Sequence, residues 1–363
     1  MGSWLPRIAD VKTNLGLSEG LLGLVLLALP AGTFIALAVA GLLIKRYTPA
    51  RTLQFALAVW ALAFLLPAAS SSAMTLAISL ACCGLVVGVL EVASNVEADT
   101  IELRIQKRIM SRCHGFWSLG AMSGALLGGG VFASHGISVI SQFLIVSPIV
   151  VVASMFITSR LQDDVNVYCA SNTGKANSAK RAFISREVLL LCLTPMGVMA
   201  VEGSFMDWSA VFMREQLKAN GGTAGYTFAM FAGVMAVVRL SGDWLAERFG
   251  DAFIVCVSGV AAAIGVVVFA TASNVLAAFI GAALAGMGVA IVYPLTMTAV
   301  ARASETHREE NVAYLSIAAF SVLMIAPPVI GGVAELSSLR LGLLCLVPGA
   351  VATAVLSKKI TAR

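Results

Sequence analysis

Apolar runs long enough to cross a bilayer recur along almost the whole chain. A helix needs about 20 residues to span the hydrocarbon. Backbone groups in lipid must be satisfied within their own element, and the alternating pattern of a lipid-facing barrel is absent. The sequence therefore predicts an all-α polytopic membrane protein. Eleven runs are found, at about 20–44, 51–69, 74–96, 113–133, 138–159, 184–206, 223–245, 252–272, 275–300, 311–334 and 339–357.

Composition excludes several other protein classes. Hydrophobic residues make up 59% of the chain and charged residues only 12%, with a mean hydropathy of +0.93. The seven cysteines are scattered without metal-ligand spacing, so we interpret them as packing residues. No phosphate-binding loop, zinc-protease motif or serine nucleophile elbow is present, which gives no support to a pump or a membrane hydrolase. We therefore predict a non-enzyme without metal or cofactor.

Basic residues orient the protein. Of the 24 Lys and Arg residues, 19 fall on one set of alternate loops, and this excess predicts a cytoplasmic side and a cytoplasmic C-terminus. Because the net charge of +5 lies in short loops between spans, we expect a bilayer and not a nucleic acid as partner. The residues predicted for the opposite side are Arg7, Lys12, Arg214, Lys218 and Arg340.

The longest hydrophilic stretch, RLQDDVNVYCASNTGKANSAKR at 160–181, is rich in Asn, Ser, Asp and Lys. Such a composition is typical of a flexible linker. It predicts an N-terminal half at 1–160, a cytoplasmic linker at 161–183 and a C-terminal half at 184–363.

Two loops in matching places, GLLIKRYTPAR at 41–51 and GDWLAERFGDA at 242–252, resemble the G-x-L-x-D-R-x-G-R signature of the major facilitator superfamily. The first copy keeps Arg46, but Lys45 replaces the acid and Thr48 replaces the glycine. The second copy keeps four signature residues: Leu245, Glu247, Arg248 and Gly250. The resemblance implies two parallel six-helix halves.

Aligning the two halves places Trp4 opposite Trp208. A complete helix from about Ile184 precedes Trp208, whereas three residues precede Trp4. We therefore expect most of helix 1 to be missing, so that about 11 of the family's 12 helices are present. The in-frame DNA before Met1 would test whether the true start lies upstream.

Four further stretches are similar to the fucose-permease-like branch of the superfamily, and most similar to one uncharacterised inner-membrane member. The resemblance implies a multi-pass protein of the bacterial inner membrane. In fucose permease, an acid in helix 1 and a glutamate in helix 4 serve sugar binding and proton coupling, and Glu91 matches the second by its place in an E-V-A-x-N run. The stretches begin at Trp4, Leu90, Glu202 and Phe320.

Glu91 and Asn95 lie within about 40° of one another on a helical wheel. An ionised carboxylate is costly inside a bilayer, and intramembrane acids usually face an aqueous path, so the pair predicts a substrate or proton site. In the alternative, helix 4 ends near Val96 and Glu91 pairs with nearby cytoplasmic bases. Those bases are Arg104, Lys107 and Arg108.

Helix 7 carries two more acids. Glu202 is the more interior of the two. It either acts in substrate binding or gating, or forms a structural ion pair. Asp207 follows near the end of the same helix and is a second candidate for substrate or proton binding. We interpret Trp208, like Trp4, as an interfacial anchor, with sugar stacking as the alternative.

Charged residues near the predicted cytoplasmic ends are candidates for a gate. Arg239 and Asp243 are spaced i, i+4 and are expected to pair along one helix face. Together with Glu247 and Arg248, and with Arg46 of the first loop, they form the predicted latch. His114 at the start of helix 5 is either a hydrogen-bonded residue of the gate or a pH-responsive group.

Small residues and prolines mark the remaining features. Tyr293 and Pro294 can open the backbone of helix 10, which makes Tyr293 a candidate for the substrate site, although a simple kink is the alternative. Pro327 and Pro328 in helix 11 allow the same two interpretations, an opened backbone or a simple kink. Residues spaced four apart predict close packing of helices 5 and 8: Gly120, Gly124, Gly128, Gly225, Ala229 and Gly233.

These features lead to a hypothesis of function. The sequence favours a secondary transporter that works by alternating access, with Glu91 carrying a coupling proton and a small polar metabolite or sugar as substrate. Two alternatives stay open: an exporter of amphipathic compounds, and a non-transporting sensor or truncated remnant.

Overall fold

The computed structural model describes residues 1–106, 109–161, 184–303 and 308–360. Within these ranges the regular secondary structure is helical, and eleven segments are long and apolar enough to cross a membrane. The predicted fold class and number of spans are confirmed. The spans are Glu19–Tyr47, Pro49–Ala68, Ala73–Glu102, Arg112–Ala133, Val139–Thr158, Arg186–Gln216, Gly221–Leu240, Asp251–Ala270, Val275–Arg302, Asn311–Leu336 and Leu339–Lys359.

Several spans consist of more than one helix. In the first part of the chain the helices are α1 Ile8–Leu15, α2 Glu19–Leu26, α3 Ala28–Tyr47, α4 Pro49–Ala63, α5 Leu65–Ala68, α6 Ala73–Ile105, α7 Met110–Ala125 and α8 Val139–Thr158. In the second part they are α9 Arg186–Leu193, α10 Met196–Gln216, α11 Gly221–Leu240, α12 Gly242–Phe249, α13 Asp251–Ala270, α14 Val275–Val289, α15 Val292–Arg302, α16 Arg308–Leu336, α17 Leu339–Leu344 and α18 Val347–Leu356. A π-helix, Leu126–Ala133, continues α7, and short 3-10 turns lie at Leu5–Arg7 and Ser357–Lys359.

Polar caps determine where many of the helices begin. The side chain of each cap accepts a hydrogen bond from a backbone amide in the first turn, where amides have no partner within the helix. These residues stand in the short polar stretches between apolar runs, so the sequence itself marks the helix starts. The caps are Ser72, Ser138, Ser185, Asn220, Asn274 and Ser338.

The chain divides into two compact units. The first consists of Met1–Leu24, His114–Ile137 and Ala182–Arg363, and the second of Val25–Cys113 and Ser138–Arg181. The predicted halves follow the internal repeat and have different boundaries, so the division at 160 and 184 stays a prediction. Most of the predicted linker, residues 162–183, lies outside the described residues.

Aromatic side chains form the core of the first unit. The ring of Phe205 lies 4.9 Å from that of Phe231 and 4.7 Å from that of Phe269, centroid to centroid. Trp208 is 0% exposed and Trp4 is 2% exposed. Because protein encloses both indoles, their interpretation as interfacial anchors is wrong, and neither ring is available for stacking on a sugar.

Small residues allow the close helix contacts that the sequence predicts. A Cβ on Gly124 would lie 2.7 Å from the backbone nitrogen of Ser3, and one on Gly225 would lie 2.5 Å from the Cα of Gly129. Gly128 also meets the backbone of Ser3, whereas Gly120 faces open space. The packing prediction is therefore confirmed for most of this set and wrong for Gly120.

The two signature loops share one backbone conformation. Thr48 has φ 73° and ψ 156°, and Gly250, at the matching position, has φ 81° and ψ 145°. Each residue ends one helix and directly precedes the next. This region of conformational space is almost restricted to glycine, so the β-branched Thr48 is strained there.

We expect Thr48→Gly to stabilise the protein by about 1 kcal/mol. The free energy gained by removing the backbone strain should exceed the entropic cost of a more flexible unfolded chain. Thr48 also accepts a 3.4 Å hydrogen bond from the amide of Arg51, but a glycine cap loses only a few tenths of a kcal/mol. Thermal unfolding of the purified protein in detergent measures the change. The reverse substitution, Gly250→Thr, should lower the melting temperature. A lower melting temperature for Thr48→Gly would contradict the strain argument.

Candidate functional site

Glu91 and Asn95 form a hydrogen-bonded pair deep in a membrane span. The Nδ2 atom of Asn95 donates to Oε1 of Glu91 over 3.0 Å, and both residues are half-buried. Glu91 lies eleven residues before the end of its span at Glu102, about 16 Å along the helix. The helical-wheel prediction that the two side chains share a face is confirmed.

The alternative for Glu91 assumed a helix that ends near Val96. That premise is wrong, because α6 continues to Ile105. Arg104 lies thirteen residues beyond Glu91 on the same helix, about 20 Å away, which is too far for an ion pair. The other proposed partners, Lys107 and Arg108, lie outside the described residues.

The remaining acids of α6 differ widely in their surroundings. Glu97 is only 5% exposed, whereas Asp99 is exposed. Glu102 accepts hydrogen bonds from the amides of Ile109 (2.5 Å) and Met110 (2.8 Å), so it fixes the start of α7. Sequence reasoning did not select Glu97, because a helical wheel separates faces but does not tell which face another helix covers.

The two acids of α10 point to different sides. They are five residues apart, which is about 140° around the helix axis. Glu202 is 8% exposed and forms an ion pair with Arg239 of α11. Asp207 is half-buried and makes no hydrogen bond or ion pair with any residue that the structure describes.

Arg239 is the centre of a buried polar cluster. Its Nη2 donates to Oε1 of Glu202 over 3.0 Å and its Nη1 donates to Oγ of Ser118 over 2.9 Å. Its Nε donates to the carbonyl of Ala290 over 2.9 Å, and its Cζ lies 6.0 Å from the centre of the Trp117 ring. We name Arg239, Glu202, Ser118 and Ala290 the Arg239 cluster; it joins α7, α10, α11 and the break after α14.

Pro294 explains why the arginine reaches Ala290. A proline has no amide hydrogen, so the carbonyl four residues earlier, that of Ala290, loses its helical donor. The helix is interrupted there, with Ile291 at φ −119° and ψ −3°, and Arg239 supplies the missing donor. The helix is interrupted just before Tyr293 and Pro294, which both interpretations of this proline allow, and Tyr293 lies half-buried in the first turn after the break. Its place in a substrate site stays a prediction.

The prolines of α16 do not interrupt their helix, and the predicted ion pair of the latch is not formed. Pro327 and Pro328 lie inside α16, which continues through them. The predicted i, i+4 pair of Arg239 and Asp243 is wrong, because α11 ends at Leu240, a new helix begins at Gly242, and the guanidinium instead contacts Glu202.

The remaining gate candidates are not part of the Arg239 cluster. Asp243, Glu247 and Arg248 are exposed on α12, and Arg46 is exposed at the end of α3. His114 is half-buried in the first turns of α7, and its carbonyl accepts a 3.1 Å hydrogen bond from the hydroxyl of Ser118. Their roles in gating stay predictions.

A second charged cluster joins the start of the chain to the end of α10. Lys12 donates to Glu215 and, over 3.3 Å, to Glu19. Asp10 forms a 2.6 Å ion pair with Arg7 and a 3.4 Å ion pair with Arg214. We name these six residues the Lys12 cluster; its basic members are among those predicted for the side opposite the cytoplasm.

Burial affects the ionisation of Arg7 in this cluster. Arg7 is 3% exposed, and this burial lowers the pKa of its guanidinium, an effect that Asp10 opposes. The Nη2 atom of Arg7 also donates to the carbonyl of Ile137 over 2.8 Å. The cluster was not predicted from the sequence, because its partners are up to about 200 positions apart. The alternation of acids and bases in residues 7–19 could have indicated a set of ion pairs there.

Comparison with known proteins decides the family. The model of the Major Facilitator Superfamily matches residues 4–327 and 198–361. The chain belongs to this superfamily. A member of the major facilitator superfamily whose described residues include eleven membrane-length helices is a multi-pass membrane transporter.

Curated relatives of this superfamily member cover nearly its whole length. It is 27% identical to an uncharacterized MFS-type transporter of Yersinia pestis over 347 residues, which is 95% of this chain and 88% of that protein. It is 25% identical to the membrane protein MosC of Rhizobium meliloti over 98% of this chain and 86% of that protein.

Solved structures share the major facilitator fold of this chain. The nucleoside transporter NupG, in a mutant form, superimposes with a TM-score of 0.77 at 12% identity, covering 99% of this chain and 96% of its own. The transporter FucP in its outward conformation superimposes with a TM-score of 0.60 at 16% identity, covering 100% of this chain and 98% of its own. At these identities the likeness concerns the fold alone.

Proposed function

We propose that this protein is a proton-coupled secondary transporter of the bacterial inner membrane that moves a small polar metabolite or sugar by alternating access. Its C-terminus lies in the cytoplasm, as the distribution of basic residues predicts. The hydrogen-bonded pair of Glu91 and Asn95 inside a membrane span carries the proposal.

The chemistry of the pair suits a coupling site. An ionised carboxylate inside a membrane is costly, and taking up a proton removes that cost. The Nδ2 atom of Asn95 donates a hydrogen bond to Oε1 of Glu91, and a carboxyl oxygen can accept such a bond in either protonation state. Both side chains are half-buried, so the surrounding helices do not enclose them completely.

The class of substrate is supported by analogy. One protein of similar fold is a nucleoside transporter, and another is the Escherichia coli fucose:proton symporter. Both names refer to small polar solutes. The main aromatic cluster of this chain, around Phe205, is enclosed within the protein core, which favours hydrogen-bonding recognition over a large stacking platform.

We expect Glu91→Gln to abolish substrate-dependent proton movement, because glutamine keeps the shape of the side chain but cannot bind and release a proton. The assay uses the purified protein in proteoliposomes with a pH-sensitive dye inside, and screens sugars, nucleosides and other small polar solutes. Counterflow of labelled substrate, which needs no net proton transfer, should survive in the variant.

Glu102→Gln is the matched control on the same helix, since Glu102 caps α7 and lies at the end of its span. It should keep proton movement if the variant folds, as judged by its elution profile. Proton movement that is undiminished in Glu91→Gln would overturn the assignment of Glu91.

A further inference from the structure

Asp207 is a carboxylate inside a membrane span to which the described residues supply no counter-charge. It lies nine residues before the end of the span Arg186–Gln216, about 14 Å along the helix. Glu202, on the same helix, has Arg239 as its partner, and Glu91 has Asn95. Among the described carboxylates that lie more than two turns inside a span, Asp207 alone has neither a hydrogen bond nor an ion pair.

The described residues around α10 supply no counter-charge inside the span. α10 packs against the Leu5–Arg7 turn and against α1, α9, α11, α13, α14, α16, α17 and α18, and α14 and α18 contain no charged residue. Apart from Arg186, which is exposed at the start of the span, every described base on these elements has another partner. The charged groups and their contacts are Arg7 with Asp10, Lys12 with Glu19 and Glu215, Arg214 with Asp10, Arg239 with Glu202, Arg340 with the carbonyl of Ala270, and Glu335 with the amide of Gly20.

The other described titratable groups on the neighbouring helices do not supply Asp207 with a counter-charge inside the span. Asp251 begins the span of α13, and Arg186 and Glu187 begin the span that contains α10, so all three lie at a membrane surface. Tyr226 of α11 is exposed and Tyr314 of α16 is half-buried.

On the Asp207 face of α10, the nearest described contact is with an apolar side chain. Gly203, one turn earlier on the same face, would place a Cβ 2.8 Å from Cδ2 of Leu323 in α16. Met206 is half-buried beside it. A carboxylate in such surroundings has two ways to avoid an uncompensated charge, which are to bind a proton or to recruit a cation.

We propose that Asp207 is a proton-binding site of the C-terminal half, separate from Glu91. Its side chain is not fully enclosed by protein, and the lack of a counter-charge among the described residues favours the protonated form in the resting protein. This deepens the proton coupling proposed above, but it does not require that Glu91 be the coupling group.

Infrared difference spectroscopy tests the site without knowledge of the substrate. The purified full chain in lipid is titrated from acid to alkaline pH, and the C=O stretch of protonated carboxylic acids is recorded. We expect a band that persists at neutral pH, that shifts when aspartate is labelled with carbon-13, and that is lost in Asp207→Asn. The labelling experiment uses the wild-type protein, so it remains informative if the variant folds poorly.

Two control variants separate this proposal from the one about Glu91. Asp243→Asn removes an exposed aspartate and should leave the neutral-pH band unchanged. Glu91→Gln should also leave the aspartate band in place. An aspartate band that is absent at neutral pH, or that survives in Asp207→Asn, overturns the proposal, and neither result affects the transport test of Glu91→Gln.

Discussion

Replacing Arg239 by Met is expected to lower the free energy of unfolding by about 3–5 kcal/mol, the usual effect of removing one partner from a buried ion pair. Both side chains of the Arg239–Glu202 pair are 10% exposed. The substitution leaves the Glu202 carboxylate without its counter-charge, and it also leaves the Ala290 carbonyl, already deprived of a donor by Pro294, without a partner. Thermal unfolding in detergent, with and without added lipid, measures the loss.

A double variant isolates the charge effect. Arg239→Met combined with Glu202→Met removes both charges, and its stability should recover by several kcal/mol relative to Arg239→Met alone. Arg248→Met, on the exposed face of α12, is the matched control and should change stability by less than about 0.5 kcal/mol. A single variant as stable as this control would contradict the structural role of the cluster.

The second large effect is expected at Lys12. Its side chain is 9% exposed and contacts Glu19 and Glu215, which are 30% and 29% exposed. Replacing Lys12 by Met leaves two carboxylates facing each other, and we expect a loss of about 2–3 kcal/mol, less than at Arg239 because water partly screens the acids. The same unfolding measurement applies.

Substitution of the two acids tests the mechanism of that loss. Adding Glu19→Gln and Glu215→Gln to Lys12→Met should restore most of the stability, since no unpaired charge remains. Lys218→Met, which replaces an exposed lysine close to Glu215 in the sequence, should be near neutral. If Lys12→Met is equally neutral, the Lys12 cluster does not contribute to folding.

The Arg239 cluster also bears on the role of Glu202. An acid that already has a buried guanidinium partner is better suited to hold helices together than to exchange protons. The geometry therefore favours the structural ion pair among the two roles left open for Glu202, and it leaves Glu91 and Asp207 as the carboxylates for which we propose proton binding.

Much of this protein follows from its sequence alone. The length and hydropathy of the apolar runs determine the eleven spans, because backbone groups in lipid have no other partner than their own helix. Polar caps such as Ser72 and Asn274 mark helix starts for the same local reason. The pairing of Glu91 with Asn95 was also predictable, since four residues along one helix always share a face.

The tertiary structure decided which charges meet. Arg239 was expected to pair with Asp243, four positions away, yet it contacts Glu202 and Ala290, which are 37 and 51 positions away. Helical spacing within one segment cannot predict such contacts, because they depend on which helices pack together and where a proline frees a carbonyl. The lack of a partner for Asp207 among the described residues has the same origin. The sequence shows a carboxylate in a span, but only the packing shows that nearby bases such as Arg214 and Arg239 contact other groups.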